Sequence, residues 1–213
     1  MRKTLFPALL LAALLLVGCS ADAEAAGLCT DMRTRLLGAQ TLRMDAALTA
    51  DLGDEMLCFS VRYEGSASGG TLTVTAPEAI AGLTAEADVD SGSLTCEGAV
   101  LASGELTEDG LSPAEALPLM LRQWKTGYID ECGIEKVGGR RTFMIESRVS
   151  EAVVHRAWFD ADTLLPVRGE LISGGRTVLT CEFENVTETN TKEGSEWILH
   201  TAEHGRRSRS GIS

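Results

Sequence analysis

The segment Leu57–Ala76, LCFSVRYEGSASGGTLTVTA, contains two runs of alternating apolar and polar residues on either side of a glycine- and serine-rich turn. Successive side chains of a β-strand point to opposite faces of a sheet, so this period of two predicts strands buried on one face. Residues 65–70 have the composition of a turn, and Pro77 ends the second run. The segment therefore predicts an antiparallel hairpin whose apolar side consists of Leu57, Phe59, Val61, Tyr63, Leu72, Val74 and Ala76.

The same periodicity occupies most of the chain on both sides of this hairpin. The clearest turn signals are Gly138–Gly139, Asp160–Thr163 and Ser173–Gly175. About nine or ten antiparallel strands exceed what a flat sheet holds without curling. We therefore expect an α+β protein, mainly antiparallel β, with a strongly curved, open half-barrel sheet. The further predicted strands cover residues 42–49, 83–89, 94–100, 142–148, 152–159, 165–172 and 176–183.

Residues 112–126 interrupt the strands with the pattern of an amphipathic helix. Ser112-Pro113-Ala114-Glu115 is a capping box with proline at the first helical position, and Gly127 marks the helix end. Pro118 lies inside the pattern and predicts a kink or a loosened first turn. We expect this helix to cover the concave face of the sheet with its apolar residues, Leu117, Met120, Leu121 and Trp124.

The N-terminus has the features of an export signal. Arg2 and Lys3 precede an apolar run, Leu5–Val17, that is too short to span a bilayer as a mature helix. The run ends in Leu-Val-Gly-Cys at residues 16–19, which is similar to bacterial lipoprotein signals. That resemblance implies that residues 1–18 are a signal peptide, that cleavage falls between Gly18 and Cys19, and that Cys19 is diacylated. The alternative is an ordinary secretory signal with a chance cysteine at its end.

The remaining boundaries follow from composition. Residues 19–27 are small and polar, which predicts an acylated cysteine followed by a flexible tether. The domain itself is expected at residues 28–190, beginning with a short helix capped by Thr30 or Asp31 that carries Met32, Leu36 and Leu37. Residues 191–213 are polar and basic at the end, which predicts a largely disordered tail, with Trp197–Leu199 as a further candidate strand. The expected location is the extracytoplasmic face of the cell membrane, or the outer membrane or periplasmic face in a Gram-negative cell.

Charge and motifs exclude several classes of function. The net charge of −12 argues against a nucleic-acid partner, because phosphate binding depends on clustered Lys and Arg. No phosphate loop, nucleophile elbow or dinucleotide fingerprint is present in the sequence. His155 is expected at the surface, and His200 and His204 have metal-ligand spacing without a convincing third ligand. We therefore expect neither catalytic residues nor a metal or other cofactor, and we expect Asp160 and Asp162 to hydrogen-bond their own turn.

Five cysteines follow Cys19, and none forms a C-x-x-C motif. An exported protein forms disulfides where its compartment is oxidising, but an odd number of thiols cannot all pair. The sequence leaves the pairing open among Cys29, Cys58, Cys96, Cys132 and Cys181.

Two segments carry a family resemblance. Residues 70–77, GTLTVTAP, and residues 157–167, AWFDADTLLPV, resemble the early strand-to-proline segment and the late Trp-Phe-Asp turn of the LolA/LolB-like outer-membrane lipoprotein carriers and sorting proteins. The resemblance covers Cys29 to Val186 in element order. It implies an open half-barrel, covered by helices, around an apolar cavity that receives acyl chains of lipoproteins. The lipoprotein-like signal fits a lipid-anchored version, such as Gram-positive germination lipoproteins, better than a soluble shuttle.

Two hypotheses for function follow. The first is a membrane-anchored binding module that takes a hydrophobic ligand or a lipoprotein acyl chain between sheet and helix. The alternative is a non-enzymatic accessory lipoprotein that binds a cell-envelope or spore-cortex protein, with its interior filled by its own side chains. Trp158 either lines the cavity mouth or packs in the sheet. The complete set of candidate lining residues is Leu57, Phe59, Val61, Leu72, Val74, Leu117, Leu121, Trp124 and Trp158.

Overall fold

The computed structural model of the protein describes residues 23–95 and 111–190. The predicted signal peptide, its cleavage site at Gly18, the lipid attachment at Cys19, and the tail with His200 and His204 lie outside the described residues. The elements are helix α1 (23–38), helix α2 (Ala116–Thr126), and strands β1 (Ala39–Asp51), β2 (Met56–Gly65), β3 (Gly69–Ala76), β4 (Thr84–Asp88), β5 (Ser93–Thr95), β6 (Ile129–Val137), β7 (Arg140–Arg148), β8 (Val153–Asp160), β9 (Pro166–Ser173) and β10 (Arg176–Asn190).

The described strands form one antiparallel sheet of ten strands in the order β5-β4-β3-β2-β1-β10-β9-β8-β7-β6. The first and last strands are neighbours at its centre, where Ala46 of β1 lies opposite Phe183 of β10. Strands β5 and β6 are the two edges and do not pair with each other. The sheet is therefore an open half-barrel, and the predicted fold class is confirmed.

Alternation along each strand creates the concave face. In β1 the buried side chains are every second residue from Leu42 to Ala50, and the register with β2 places Tyr63 opposite Met44 and Val61 opposite Ala46. Residues that lie directly opposite in an antiparallel pair share one face. The apolar residues of neighbouring strands therefore combine into one core inside the half-barrel.

Helix α2 lies within this concave side. Its Leu117, Met120, Leu121 and Trp124 are buried. A Cβ on Gly169 of β9 would lie 2.8 Å from the Met120 sulfur, so the missing side chain lets helix and sheet approach closely. This position confirms that the mid-chain helix covers the concave face.

The start of α2 differs from its prediction. Residues Pro113–Glu115 form a 3-10 turn, and α2 begins only at Ala116, with the Ser112 hydroxyl accepting a hydrogen bond from the Ala114 amide at 3.2 Å. Pro118 consequently lies in the first turn, where an amide has no helical partner to lose. The predicted cap is confirmed. We expected a kink or a loosened first turn from Pro118, and the structure has an altered first turn, the 3-10 turn at Pro113–Glu115.

Helix α1 is longer than predicted. Residues 23–27, expected in the flexible tether, are helical, and the predicted cap at Thr30 or Asp31 lies inside the helix. Alanine and glutamate are strong helix formers, and Ala25 is fully buried. Small residues that suit a tether thus also suit a packed helix, and the tether prediction is wrong for residues 23–27.

Candidate functional site

Eight of the nine candidate lining residues lie on the concave side. Register places Leu57, Phe59 and Val61 of β2 opposite Ala50, Leu48 and Ala46 of β1, and Val74 of β3 opposite Val61. Leu57 and Phe59 are half-buried, and the other six are buried against the core: Val61, Leu72, Val74, Leu117, Leu121 and Trp124. The sequence therefore identified the residues of the concave face, but it did not show whether that face borders a cavity.

Trp158 is the exception, because it lies on the convex face. Its neighbours in register are Met144 and Arg168, one position away from the concave pair Phe143 and Phe159. The Arg168 guanidinium lies 5.7 Å from the centre of the Trp158 ring, and the indole N–H donates to Glu135 at 2.7 Å. Trp158 is thus covered by polar side chains on the outside of the sheet, and its assignment to the cavity is wrong.

A small apolar cleft remains between α1 and the sheet. Its volume is about 20 Å³, slightly more than one water molecule requires, so it has no space for an acyl chain in this conformation. Trp124 of α2 and Phe159 of β8 line it, and Arg35 and Glu188 are its polar residues. The remaining lining comes from α1, β1 and the segment from β8 to β9: Met32, Leu36, Leu42, Met44, Leu164, Leu165 and Pro166.

The turn between β8 and β9 forms one wall of this cleft. The Asp160 carboxylate accepts hydrogen bonds from the Thr163 amide at 2.8 Å and the Asp162 amide at 3.0 Å. Leu164 follows with a positive φ of 60°, which is unusual for a branched residue. The prediction that Asp160 hydrogen-bonds its own turn is confirmed, and the turn presents Leu164 and Leu165 to the cleft.

Polar contacts fix α1 over the cleft. Arg35 forms an ion pair with Glu188 of β10 and donates to the Thr163 carbonyl at 2.7 Å. Arg33 donates from Nε to the Trp124 carbonyl at 3.0 Å and from Nη2 to the Gly127 carbonyl, both at the C-terminal end of α2. Helix α1 is thus attached both to the sheet and to α2.

A buried series of hydrogen-bonded side chains, which the sequence did not predict, joins α2 to the sheet. The Trp124 indole N–H donates to His155 Nε2 at 3.2 Å, and His155 Nδ1 lies 3.2 Å from the Ser147 hydroxyl. His155 was expected at the surface but is fully buried. Its position in β8 is on the same side as Val153, Ala157 and Phe159, and that apolar series is the signal in the sequence that could have placed it inside.

The geometry determines the protonation of this histidine. An indole N–H can only donate, so Nε2 is the acceptor and the proton of the neutral ring is on Nδ1, which donates to Ser147. Burial lowers the pKa of His155 to about 3, which keeps the ring neutral. The ring therefore cannot accept the Ser147 proton through Nδ1, and this Ser–His pair is arranged for packing and not for nucleophilic attack.

Among residues 23–95 and 111–190, no three histidine, cysteine or acidic side chains are grouped so that they could hold a metal ion. Within the same ranges, no helix is both long and apolar enough to cross a membrane.

Comparison with known proteins gives matches in structure alone. No protein-family model and no curated protein matches the chain. Similar structures include an outer membrane lipoprotein-sorting protein domain from Vibrio parahaemolyticus, with 10% identity and a TM-score of 0.41 over 84% of this chain and 99% of that chain. A LolA superfamily protein from Nitrosomonas europaea has 8% identity and a TM-score of 0.39 over 80% of this chain and 96% of that chain. The MucA/MucB complex of Pseudomonas aeruginosa has 12% identity and a TM-score of 0.39 over 78% of this chain and 59% of that chain.

Proposed function

We propose that the protein is a non-enzymatic lipoprotein, anchored through Cys19 on the extracytoplasmic face of a membrane, that binds an apolar chain between α1 and the concave face. The ligand class is a hydrophobic molecule or the acyl chain of another lipoprotein. The observation that carries the proposal is the cleft under α1, whose walls are apolar except for Arg35 and Glu188. Burial of an apolar chain there supplies about 25 cal/mol per Å² removed from water.

Binding requires α1 to move, because the cleft of about 20 Å³ does not admit an acyl chain. The helix covers the core with only a narrow apolar stripe, consisting of Ala25, Cys29, Met32 and Leu36. A bound apolar ligand would contact the sheet in place of this stripe. Met32 and Met44 line the cleft, and methionine side chains adapt readily to different apolar partners.

Adjacent residues of α1 provide a matched test. Leu36 lines the cleft and is 8% exposed, whereas Leu37 faces solvent and is 57% exposed. The chain starting at Ser20 is titrated with a fluorescent fatty acid, and co-purified lipid is sought by native mass spectrometry. We expect Leu36→Asp to weaken probe binding by at least about tenfold, since a carboxylate is costly to bury, and Leu37→Asp to leave it unchanged.

Circular dichroism on both variants separates loss of binding from loss of folding. Equal affinities in two folded variants would contradict a binding site under α1. If the wild-type chain does not bind the probe and carries no co-purified lipid, the ligand proposal as a whole is contradicted.

A second candidate function is supported by the packing of the interior. Trp124 packs edge-to-face against Phe159 and Phe183, with ring centres 5.3 and 5.2 Å apart, and these buried rings fill the middle of the half-barrel. A filled interior suits an accessory lipoprotein that binds an envelope or spore-cortex protein through its surface. A chain that carries no lipid and binds no acyl probe, but captures a defined envelope protein, would favour this function.

A further inference from the structure

We propose that Cys29 of α1 and Cys132 of β6 are the partners of a reversible disulfide that ties α1 to the edge strand of the half-barrel. Cys29 is buried and Cys132 is partly buried. Sequence alone left the pairing open among five cysteines. Cys96 lies outside the described residues, and among the other four the fold distinguishes this pair.

Cys132 shares a face with the core under α1. It lies opposite Ile145 of β7, which is fully buried on the concave side and lies in turn opposite Ala157. Cys132 is partly buried and packs against the core cluster that contains Cys29. Both thiols are therefore on the inside of the half-barrel.

The contacts of α1 place Cys29 beside β6. Arg33, one turn after Cys29 and on the same side of the helix, donates to the Trp124 and Gly127 carbonyls, and the chain enters β6 two residues after Gly127. Before Cys29, Glu24 pairs with Arg141 of β7 at 2.6 Å, and Arg141 lies opposite Lys136 of β6. Helix α1 thus runs along β6 from one of these contacts to the other. Cys29 of α1 and Cys132 of β6 both lie between the two contacts.

Electrostatics agrees with this placement. Burial raises the pKa of the Cys29 thiol, the Arg33 guanidinium opposes that effect, and the negative charge of a Cys132 thiolate raises the pKa further. A charge influences a thiol in this way only at short range. This effect is in line with the placement of both thiols between α1 and β6 that the contacts of Glu24 and Arg33 indicate.

The other described cysteines lie elsewhere. Cys181 of β10 is fully buried opposite Leu48 and Gly169 near the middle of the sheet, under α2. Cys58 of β2 is exposed on the convex face, where its thiol lies 3.9 Å from the Thr49 hydroxyl.

The cross-link forms by thiol–disulfide exchange with a small or protein disulfide such as oxidised glutathione. The more accessible Cys132 thiol attacks the glutathione disulfide, forms a mixed disulfide, and releases one glutathione thiol. The Cys29 thiolate then attacks the Cys132 sulfur, forms the intramolecular bond, and releases the second glutathione thiol. The two cysteines lose two protons and two electrons, and the glutathione disulfide gains them.

The bond would act on the cleft, a consequence that rests on the proposed function. Met32 and Leu36 follow Cys29 on the same buried stripe of α1 and form part of the cleft wall. A disulfide at Cys29 would hold this wall against the sheet, so the oxidised protein would bind an apolar chain more slowly than the reduced protein.

The test uses the purified full chain in detergent, first reduced and then equilibrated with oxidised glutathione. Remaining thiols are alkylated, and the protein is digested without reduction and mapped by mass spectrometry. We expect a linked pair of peptides containing Cys29 and Cys132, lighter by two hydrogen atoms than the two reduced peptides. Oxidation should also raise Tm by several degrees, because the bond closes a long loop in the unfolded chain.

Two variants control this experiment. Cys58→Ser should keep both the linked peptides and the rise in Tm, whereas Cys132→Ser should lose both. Alkylation of both Cys29 and Cys132 in the oxidised wild-type protein would overturn the proposal, as would a predominant bond from Cys29 to another cysteine. The peptide mapping needs no ligand, so the disulfide proposal can fail while acyl binding succeeds. If the oxidised and reduced proteins associate with the probe at equal rates, only the proposed effect of the disulfide on the cleft is overturned.

Discussion

The two halves of the sheet fill the concave side in different ways. In strands β2–β4 the buried residues are aliphatic or small, such as Val61, Leu72 and Ala85, apart from Tyr63. In strands β7–β10 they include three phenylalanines: Phe159 and Phe183 pack against Trp124, and Phe143 stacks on Phe159 at 5.2 Å between ring centres. The second half also supplies His155, the acceptor for the Trp124 indole N–H.

This difference shows how α2 is held in place. Towards the first half, the helix is attached at its polar surface, where Lys125 pairs with Asp90 at 2.6 Å and Arg122 donates to the Ser91 carbonyl at 2.8 Å. Towards the second half, it is attached through the buried Trp124. Exposed ion pairs contribute little, whereas a buried aromatic residue contributes several kcal/mol. The aromatic half should therefore account for most of the free energy that fixes α2.

The largest expected effect comes from removing the shared aromatic residue. Trp124→Ala leaves a cavity beside Phe159 and Phe183 and removes the donor for His155 Nε2. We expect a loss of about 3–5 kcal/mol in the free energy of unfolding, measured by urea denaturation. Leu72→Ala in the aliphatic half is the matched control, with an expected loss at the lower end of about 2–5 kcal/mol. Equal losses in the two variants would contradict the asymmetry between the halves.

The second prediction concerns the pH dependence that the aromatic half introduces. Burial lowers the pKa of His155 from 6.5 to about 3 in the folded protein. Between these values the unfolded chain binds a proton that the folded protein does not, so the free energy of unfolding falls as the pH falls below 6.5. At about 1.4 kcal/mol per pH unit, this group alone makes the protein about 2 kcal/mol less stable at pH 5 than at pH 7.

His155→Gln provides the control for this pH dependence. A glutamine amide can accept from the Trp124 indole and donate to Ser147 without titrating. The variant should therefore show a flatter dependence of unfolding free energy between pH 5 and 7. An unchanged slope would show that other groups produce the pH dependence.

The strands that the sequence predicted well are those with one buried and one solvated face. Strands β2 and β3 alternate clearly, and the hairpin of β9 and β10 has Gly174 and Gly175 with positive φ at its turn. Strand β6 was missed, because its charged residues and Gly133 interrupt the alternation in an edge strand that is only partly buried. Alternation of apolar and polar residues identifies a strand only where one face of the sheet is buried and the other is in contact with water.

The candidate site was harder to predict for two physical reasons. The inner face of strand β8 carries His155, Ala157 and Phe159, but Trp158 on its outer face is buried as well, so the apolar run 157–159 does not alternate and obscures which face belongs to the core. The cleft is formed by α1, β1 and the β8–β9 turn, which are distant in sequence. The hydrophobic pattern identified these elements in the sequence. Whether they contact each other depends on the register of β1 with β10 at the centre of the sheet.

The smallest expected effect tests the contrast between the inside and the outside of strand β8. Trp158→Phe keeps an aromatic ring beside the Arg168 guanidinium but removes the hydrogen bond to the exposed Glu135 carboxylate and the second ring of the indole. We expect a loss of about 1 kcal/mol in the free energy of unfolding by urea denaturation, with unchanged affinity for the fluorescent acyl probe. Trp158 is 8% exposed and yet belongs to the convex face, so burial alone would have grouped it with Trp124. A weakened probe affinity in the folded variant would return Trp158 to the binding site and contradict the separation of the two faces.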